Sequence, residues 1–280
     1  MQIGFIGAGK VGTSLGRYLY THGIPITGYY SRNAEHTLFA AKHTQSQTFT
    51  SIQELVEACD IIWITVTDSA IATIWEKIDK SHITDKCFCH CSGALSSQIF
   101  TNREQYGAFG CSLHPLYAIS DKETSYKTLG EALFTLEGDQ AYVEVFQKLF
   151  SDLGNPVQQI DASGKQRYHA AAVFTSNHVI ALVQVATNLL KTCGFSDETA
   201  LAAIRPLLAG NTNAVLEKGP LEALTGPVER NDATTITKHL SCLPDGYIPL
   251  YKELTRVLLE LASLRHPEAD YSAIEEQIKL

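Results

Sequence analysis

The 280-residue chain has no surplus of basic residues: 22 Lys and Arg stand against 30 Asp and Glu, a formal charge of −8. A surface of that sign steers neither nucleic acid nor an anionic membrane toward it, which excludes binding modes built on a basic patch and leaves small ligands open. No basic segment with an apolar core and a cleavage site opens the sequence, and no stretch approaches the roughly 20 apolar residues of a membrane span, so the expectation is a cytoplasmic protein with no membrane partner. Seven cysteines are an odd number for a disulfide framework. In a reducing compartment they are expected to stay free, most of them as small buried hydrophobes. Only 19% of residues are charged and 45% are hydrophobic, which provides a large core, and the length favours two domains over one.

Residues 2–6 (QIGFI) form an apolar run that ends in a glycine cluster, and from Val11 a helical pattern runs through Leu15, Tyr18 and Leu19 to Gly23. Apolar runs at 24–30, 61–66, 87–91, 108–113, 132–136 and 155–160 alternate with helical stretches at 33–42, 51–57, 69–79 and 139–151. This alternation predicts an α/β fold whose N-terminal part is a parallel, doubly wound Rossmann sheet. From Ser163 the pattern is helical, first to Gly194 and then at 197–217, 232–241, 246–264 and 268–278. The expected domains are therefore 1–161, dinucleotide-binding, and 162–280, all-α. Segment 115–130 reads as an exposed mobile loop, and the long apolar helix faces of the second half predict a homodimer.

Gly7, Gly9 and Gly12, with Lys10 and Val11 before the last, form GAGKVG directly after a strand and at the start of a helix. In that context G-x-G-x-x-G signals a dinucleotide. The first glycine permits the tight turn, the second lets the backbone approach a pyrophosphate, and the third lets helix and strand pack closely. An acid about 20 residues on would hold the ribose hydroxyls of NAD. The second strand instead ends in Tyr29, Tyr30, Ser31 and Arg32, and a hydroxyl with a guanidinium suits a 2′-phosphate, so NADP(H) is the expected cofactor.

Thr67 and Asp68 follow the apolar run at 61–66 and are expected beside the ribose and nicotinamide, although Asp68 serves equally as a helix N-cap. Ser92 and Gly93 follow the next strand and are expected at the substrate, since small residues leave room and offer a hydroxyl and amides. Cys87, Cys89 and Cys91 alternate on one strand face with His90 on the other. Positions two apart on a strand diverge by about 6.6 Å, too far for three tetrahedral ligands, so no metal is expected.

The motifs GAGKVG, ITVTDSAI, HCSGAL, SLHPL, YHAAAVFTSNH and LTGPVERND together resemble the Rossmann-like proteins that carry the C-terminal domain of unknown function DUF2520. Those proteins are distant relatives of ketopantoate reductase, 3-hydroxyisobutyrate dehydrogenase and pyrroline-5-carboxylate reductase. The resemblance covers nearly the whole chain and implies an NADP-dependent reductase whose helical second domain forms a dimer. In the hydroxyacid dehydrogenase and ketopantoate reductase relatives a catalytic lysine stands four residues before an asparagine. Here Asn177 takes the asparagine's place, four before it is Val173, and the lysine is missing from that position. Lys165 lies three helical turns before Asn177, about 18 Å along a helix, too far for both to touch one small substrate.

Reduction of a ketone leaves an alkoxide, so the site needs a proton donor within hydrogen-bonding reach. His169, set among alanines, and His114, before Pro115 at the end of a strand, are the two candidates, each with an alternative as a purely structural histidine. Arg230 follows a glycine-proline turn and is a candidate clamp for a substrate carboxylate. Asp232 either joins that site or caps the following helix. The resulting expectation is an NADPH-dependent reductase of a small 2-keto acid, with ketopantoate leading and Asn177 and Arg230 orienting the acid. The alternatives are an imine reductase of the pyrroline-5-carboxylate reductase type and an NADP(H)-binding sensor without catalysis.

Overall fold

A computed structural model of the chain describes residues 1–279. By packing it divides into two units, Met1–Thr175 and Ser176–Leu280. The first unit runs β1 (Ile3–Ile6), α1 (Lys10–Thr21), β2 (Gly28–Tyr30), α2 (Ala34–Thr44), β3 (Gln47–Thr48), α3 (Ile52–Ala58), β4 (Ile61–Ile64), α4 (Asp68–Lys77), β5 (Cys87–His90), β6 (Phe109–Leu116), β7 (Leu133–Gly138), α5 (Gln140–Asp152), β8 (Val157–Gln159) and α6 (Lys165–Thr175). The eight strands form one sheet in the order β3-β2-β1-β4-β5-β6-β7-β8. Strand order reverses outward from β1 and β4, the arrangement that opens a crevice at the carboxyl ends of both.

The alternation of strand and helix is therefore the Rossmann pattern expected from the sequence, with differences in detail. β6 and β7 pair antiparallel, Cys111 opposite Gly138 and Leu116 opposite Leu133; segment 117–132, which joins them, holds only 3-10 turns and no α-helix to cross over the sheet. β2 is confined to Gly28–Tyr30; Pro25, which lacks an N–H, lies in the stretch before it. Segment 115–130 is fastened rather than loose. Arg17 Nη1 on α1 donates to the carbonyls of Lys122 and Glu123 at 3.0 and 3.1 Å, and its guanidinium lies 3.9 Å from the centre of the Tyr126 ring.

Each face of the sheet buries its own core. Phe5, Leu15, Tyr18, Tyr29, Trp63 and Phe146 fill one side, and Ile6, Ile62, Ile64, Trp75, Phe88 and Phe100 the other. Cys87 and Cys89 point into the first and Phe88 into the second, the alternation of a strand buried on both faces. Removal of each such side chain from water contributes about 1.5 to 3 kcal/mol. All seven cysteines are free thiols, and among the described residues no group of three His, Cys, Asp or Glu is placed to hold a metal ion.

The second unit comprises α7 (Asn177–Thr192), α8 (Asp197–Ala223), α9 (Ala233–Cys242), α10 (Ile248–Arg265) and α11 (Ser272–Gln277), with a core that includes Leu224, Val228, Ile236, Leu259 and Ile274. Ser196 and Thr199 form a capping box at the start of α8, which is kinked at Gly219, φ +79°, just before Pro220. The helix expected from 163 to 194 is broken at Ser176 (φ −124°, ψ −81°). Three hydroxyl or amide residues in a row, Thr175, Ser176 and Asn177, stand there, and Thr175 Oγ1 donates back to the carbonyls of Ala171 and Ala172 at 3.4 and 3.2 Å, a local competition that bends helices. The run Ala162–Thr192 is nevertheless apolar enough, at mean hydropathy 1.4 over an 18-residue window, to meet the length and composition of a membrane span. This corrects the expectation that no stretch comes near one: charged residues sit toward the ends of the run, and its hydrophobicity comes partly from alanine. The break at Ser176 divides it into two helices.

Candidate active site

The first half of the site is the glycine turn. Gly7 has φ +110°, and a Cβ there would lie 2.6 Å from the carbonyl oxygen of Thr65. A Cβ on Gly12 would meet Gly7 O at 2.2 Å and Thr65 Oγ1 at 2.3 Å, and Thr65 Oγ1 itself donates to Gly7 O at 2.7 Å. Gly9 differs: nothing lies within 4 Å of its built Cβ. It is the N-cap of α1, which has no side-chain cap, so the helix start is left open to an anion. Lys10 and Val11 form the first turn of that helix.

This turn is one wall of a cavity of about 450 Å³, whose lining includes Gly7, Gly9, Ser31, Arg32, His36, Thr67 and Lys77 and no carboxylate. The cradle with space above Gly9 fits a pyrophosphate, and a groove end carrying Arg32, His36 and Lys77 fits a further phosphate rather than a bare ribose. Asn33 caps α2, accepting from the amides of Glu35 and His36 at 2.9 and 3.3 Å, which fixes the turn that presents Arg32. Asp68 is not the helix N-cap, its alternative role. The N-cap of α4 is Thr67, and Asp68 Oδ2 instead accepts from Ser92 Oγ at 2.7 Å.

The second half is built on the turn after β5. The hydroxyl of Ser92 accepts from the amides of Ala94 and Leu95 at 3.2 and 3.0 Å, so with its donation to Asp68 it shapes the turn. The amide of Ser92 donates to Nδ1 of His90 at 3.2 Å. Lys165, the first residue of α6 and fully buried, donates through Nζ to the carbonyl of Ser92 and to Ser112 Oγ, both at 2.8 Å. Burial pushes the Lys165 pKa down, opposed by Glu137 and the neighbouring thiols. Glu137 is buried too and accepts from the amide and hydroxyl of Ser97.

Above this turn two imidazoles converge on Gly93. A Cβ there would lie 2.6 Å from His169 Nδ1 and 3.0 Å from His114 Nε2; the two rings pack so close to the glycine that no side chain fits. The two rings stand perpendicular with centroids 6.4 Å apart. His114 Nδ1 is 2.7 Å from the hydroxyl of Tyr168, whereas His169 Nδ1 is buried with no hydrogen-bond partner. Burial, with Lys165, His169 and His90 nearby, lowers the pKa of His114 to about 4. An uncharged histidine and a second histidine with an unmet nitrogen, both tight against Gly93, make this pair the candidate for proton exchange.

The remaining candidates lie in the second unit. Asn177 begins α7 and accepts from Ser176 Oγ at 3.1 Å. Arg230 sits in the turn after Gly226, whose form is held by Asn231, φ +55°, donating to the carbonyl of Asp270 at 2.8 Å. Asp232 caps α9, accepting from the amide and hydroxyl of Thr235 at 3.0 and 2.6 Å.

Two residues of this arrangement are not among the site residues expected from the sequence: Lys165 is set aside there as too far from Asn177, and Tyr168 stands only as the first residue of the motif YHAAAVFTSNH. Lys165, Tyr168 and His169 are spaced i, i+3, i+4 and so share one helix face, and that spacing is the signal in the sequence that could have found them. The pairing of a lysine with a site residue four positions on is thus found at Lys165 and His169, earlier in the chain than Asn177.

Fold and cradle define a dinucleotide-binding α/β protein with a helical second unit. Residues 2–103 match the NAD binding domain of 6-phosphogluconate dehydrogenase and residues 132–258 the domain of unknown function DUF2520, so the chain combines an NAD-binding domain with a DUF2520 domain. No curated protein matches it. Among solved structures it is similar to protein TM1727 from Thermotoga maritima, at 24% identity and TM-score 0.77 over 94% of this chain and 98% of that one. Protein BF3122 from Bacteroides fragilis, provisionally described as an NADP oxidoreductase, shares 26% identity at TM-score 0.70 over 92% and 98% of the two chains. An imine reductase from Myxococcus stipitatus, solved in complex with NADP+, aligns over 100% of both chains at 17% identity and TM-score 0.68. The fold is that of NADP-dependent reductases.

Proposed function

We propose that the protein is an NADPH-dependent oxidoreductase that reduces a small 2-keto acid, with ketopantoate, giving pantoate, as the leading substrate. The observation that carries this reading is the convergence of His114 Nε2 and His169 Nδ1 on Gly93, at the same carboxyl-end side of the sheet as the glycine cradle. Gly7, Gly9 and Gly12 with Lys10 and Val11 would hold the pyrophosphate, Ser31 and Arg32 the 2′-phosphate, and Thr67 the ribose. NADPH, when bound, supplies hydride to the carbonyl carbon.

The chain's own residues do the rest. His114 or His169 polarises the carbonyl oxygen by hydrogen bonding and then gives it a proton, because the alkoxide is the site's point of developing charge. Lys165 does not reach the substrate; its two hydrogen bonds hold the Ser92–Gly93 turn and β6 at fixed spacing, and Asp68 serves the same turn through Ser92. Arg230 and Asn177, in the second unit, are proposed on chemistry alone as groups able to bind a carboxylate.

The similarity in fold to an imine reductase over the full chain favours one second reading, reduction of a C=N bond at the same two histidines. Following NADPH absorbance across a panel of keto acids and cyclic imines separates the two. Tight NADPH binding with no oxidation by any member of the panel would instead leave a cofactor-binding sensor.

A further inference from the structure

The hydroxyl of Tyr168 meets His114 at Nδ1, 2.7 Å away, on the ring nitrogen that does not face Gly93. Tyr168 is half-buried; Thr135, opposite His114 in the β6–β7 register, donates its hydroxyl to the His114 carbonyl at 3.5 Å. A neutral imidazole carries one proton, on the nitrogen that is not accepting a hydrogen bond. A phenol O–H is a stronger donor than a neutral imidazole N–H, so the phenol proton is directed at Nδ1 and the ring proton is left on Nε2, toward Gly93.

The charged and titratable neighbours of His114 decide which form of the ring is available. His90 from β5 and Lys165 and His169 from α6 face it, and together with burial they hold its pKa at about 4, so an imidazolium is not the resting acid near neutral pH. A neutral imidazole that donates its proton alone becomes an imidazolate, a costly anion in a buried setting. A phenol already bonded to the other nitrogen removes that cost.

We infer that Tyr168 fixes His114 as its Nε2–H tautomer and relays a proton through it to the substrate. The inference rests on the reading of the site as an NADPH-dependent reductase. As hydride from NADPH reduces the carbonyl carbon, the Nε2–H bond breaks and an O–H bond forms on the substrate oxygen. The phenol O–H bond breaks as an N–H bond forms at Nδ1. The ring is neutral before and after, and the negative charge ends on the Tyr168 oxygen; once product leaves, Nε2 takes a proton from solvent and Nδ1 returns its proton to the phenolate, which restores the Nε2–H tautomer. An aliphatic alkoxide is a far stronger base than a phenolate, so the transfer runs downhill even though burial raises the Tyr168 pKa.

The first test needs neither substrate nor turnover: ¹⁵N-resolved NMR of the histidine rings in the full chain at pH 7. The expected result is His114 protonated at Nε2, and in Tyr168→Phe a redistribution between the two tautomers. A wild-type ring protonated at Nδ1, or an identical ring state in Tyr168→Phe, overturns the pairing. The second test is the pH dependence of kcat with the best carbonyl substrate. Tyr168→Phe is expected to lower kcat about tenfold or more, to alter the pH profile and to leave the Kd for NADPH unchanged, whereas wild-type kcat with an unaltered profile overturns the relay. If wild-type protein reduces no carbonyl or imine, the reductase reading and the relay fall together, and the NMR result still decides the Tyr168–His114 pairing separately.

Discussion

His90 and Ser92 close a small ring of their own: the Ser92 amide donates to His90 Nδ1 at 3.2 Å, which leaves Nε2 to carry the ring proton and donate to the carbonyl of Ser96 at 3.2 Å. The fully buried imidazole is thereby held neutral, and burial is the first reason that its pKa falls to about 4. In the unfolded chain a histidine titrates near 6.5. Between those values the unfolded state binds more protons than the folded one, so stability falls as pH drops through that window. From pH 7 to pH 5 the loss attributable to His90 should be about 2 kcal/mol. Chemical denaturation at the two pH values checks this, with His90→Gln expected to lose correspondingly less than wild type. An equal loss in both proteins would remove the assignment.

Cofactor choice should follow Arg32. NADPH is expected to bind more tightly than NADH, and Arg32→Ala should narrow the difference by about 1.5 to 3 kcal/mol, roughly ten- to a hundredfold, the worth of a charged hydrogen bond. Titration calorimetry with both nucleotides reads this directly. Equal affinities in the wild type would show that the 2′-phosphate is not recognised.

Of the two converging histidines, at least one is required for turnover. Alanine in place of the proton donor should lower kcat by about 10² to 10⁴ with little change in NADPH affinity. His114→Ala and His169→Ala are made separately, and the larger loss identifies the donor. Two fast variants would mean that neither ring serves the chemistry.

The second unit leaves large apolar side chains in solvent, among them Ile180 at 70%, Leu207 at 69% and Leu216 at 78% exposure. A homodimer through this helical half is the expected way to cover them. Sedimentation equilibrium should give twice the monomer mass at micromolar concentration, and a monomer throughout would contradict the proposal.

The parts of the fold written in local pattern are legible in the amino-acid sequence. GAGKVG after an apolar run identifies the cradle because each glycine answers a steric demand, and Gly7 and Gly12 do meet backbone at under 3 Å. β3 is not legible, since two exposed residues, Gln47 and Thr48, have no periodicity to read. Nor is the break at Ser176, where side chains compete with the helix within an otherwise continuous apolar pattern. Lys165 illustrates a different limit. Its sequence position, before an alanine-rich helix, says nothing of burial, and only the folded sheet reveals that two acceptors, on β6 and on the turn after β5, await its ammonium group. Ser92 falls at a strand end as its pattern indicates, but its hydroxyl is committed to Asp68, a long-range pairing that no local pattern encodes.

The kcat/KM of purified protein with NADPH and ketopantoate, pyruvate and a cyclic imine tests the proposed reaction itself. Ketopantoate offers a carboxylate, a ketone, a hydroxyl and a gem-dimethyl group. Pyruvate lacks the last two, so it should be poorer by about 10- to 200-fold if only methyl contacts are lost and by up to about 10⁴ if the site also hydrogen-bonds the hydroxyl. The highest kcat/KM is expected for ketopantoate. A higher value for the imine would contradict it and establish C=N reduction as the activity of the two-histidine site.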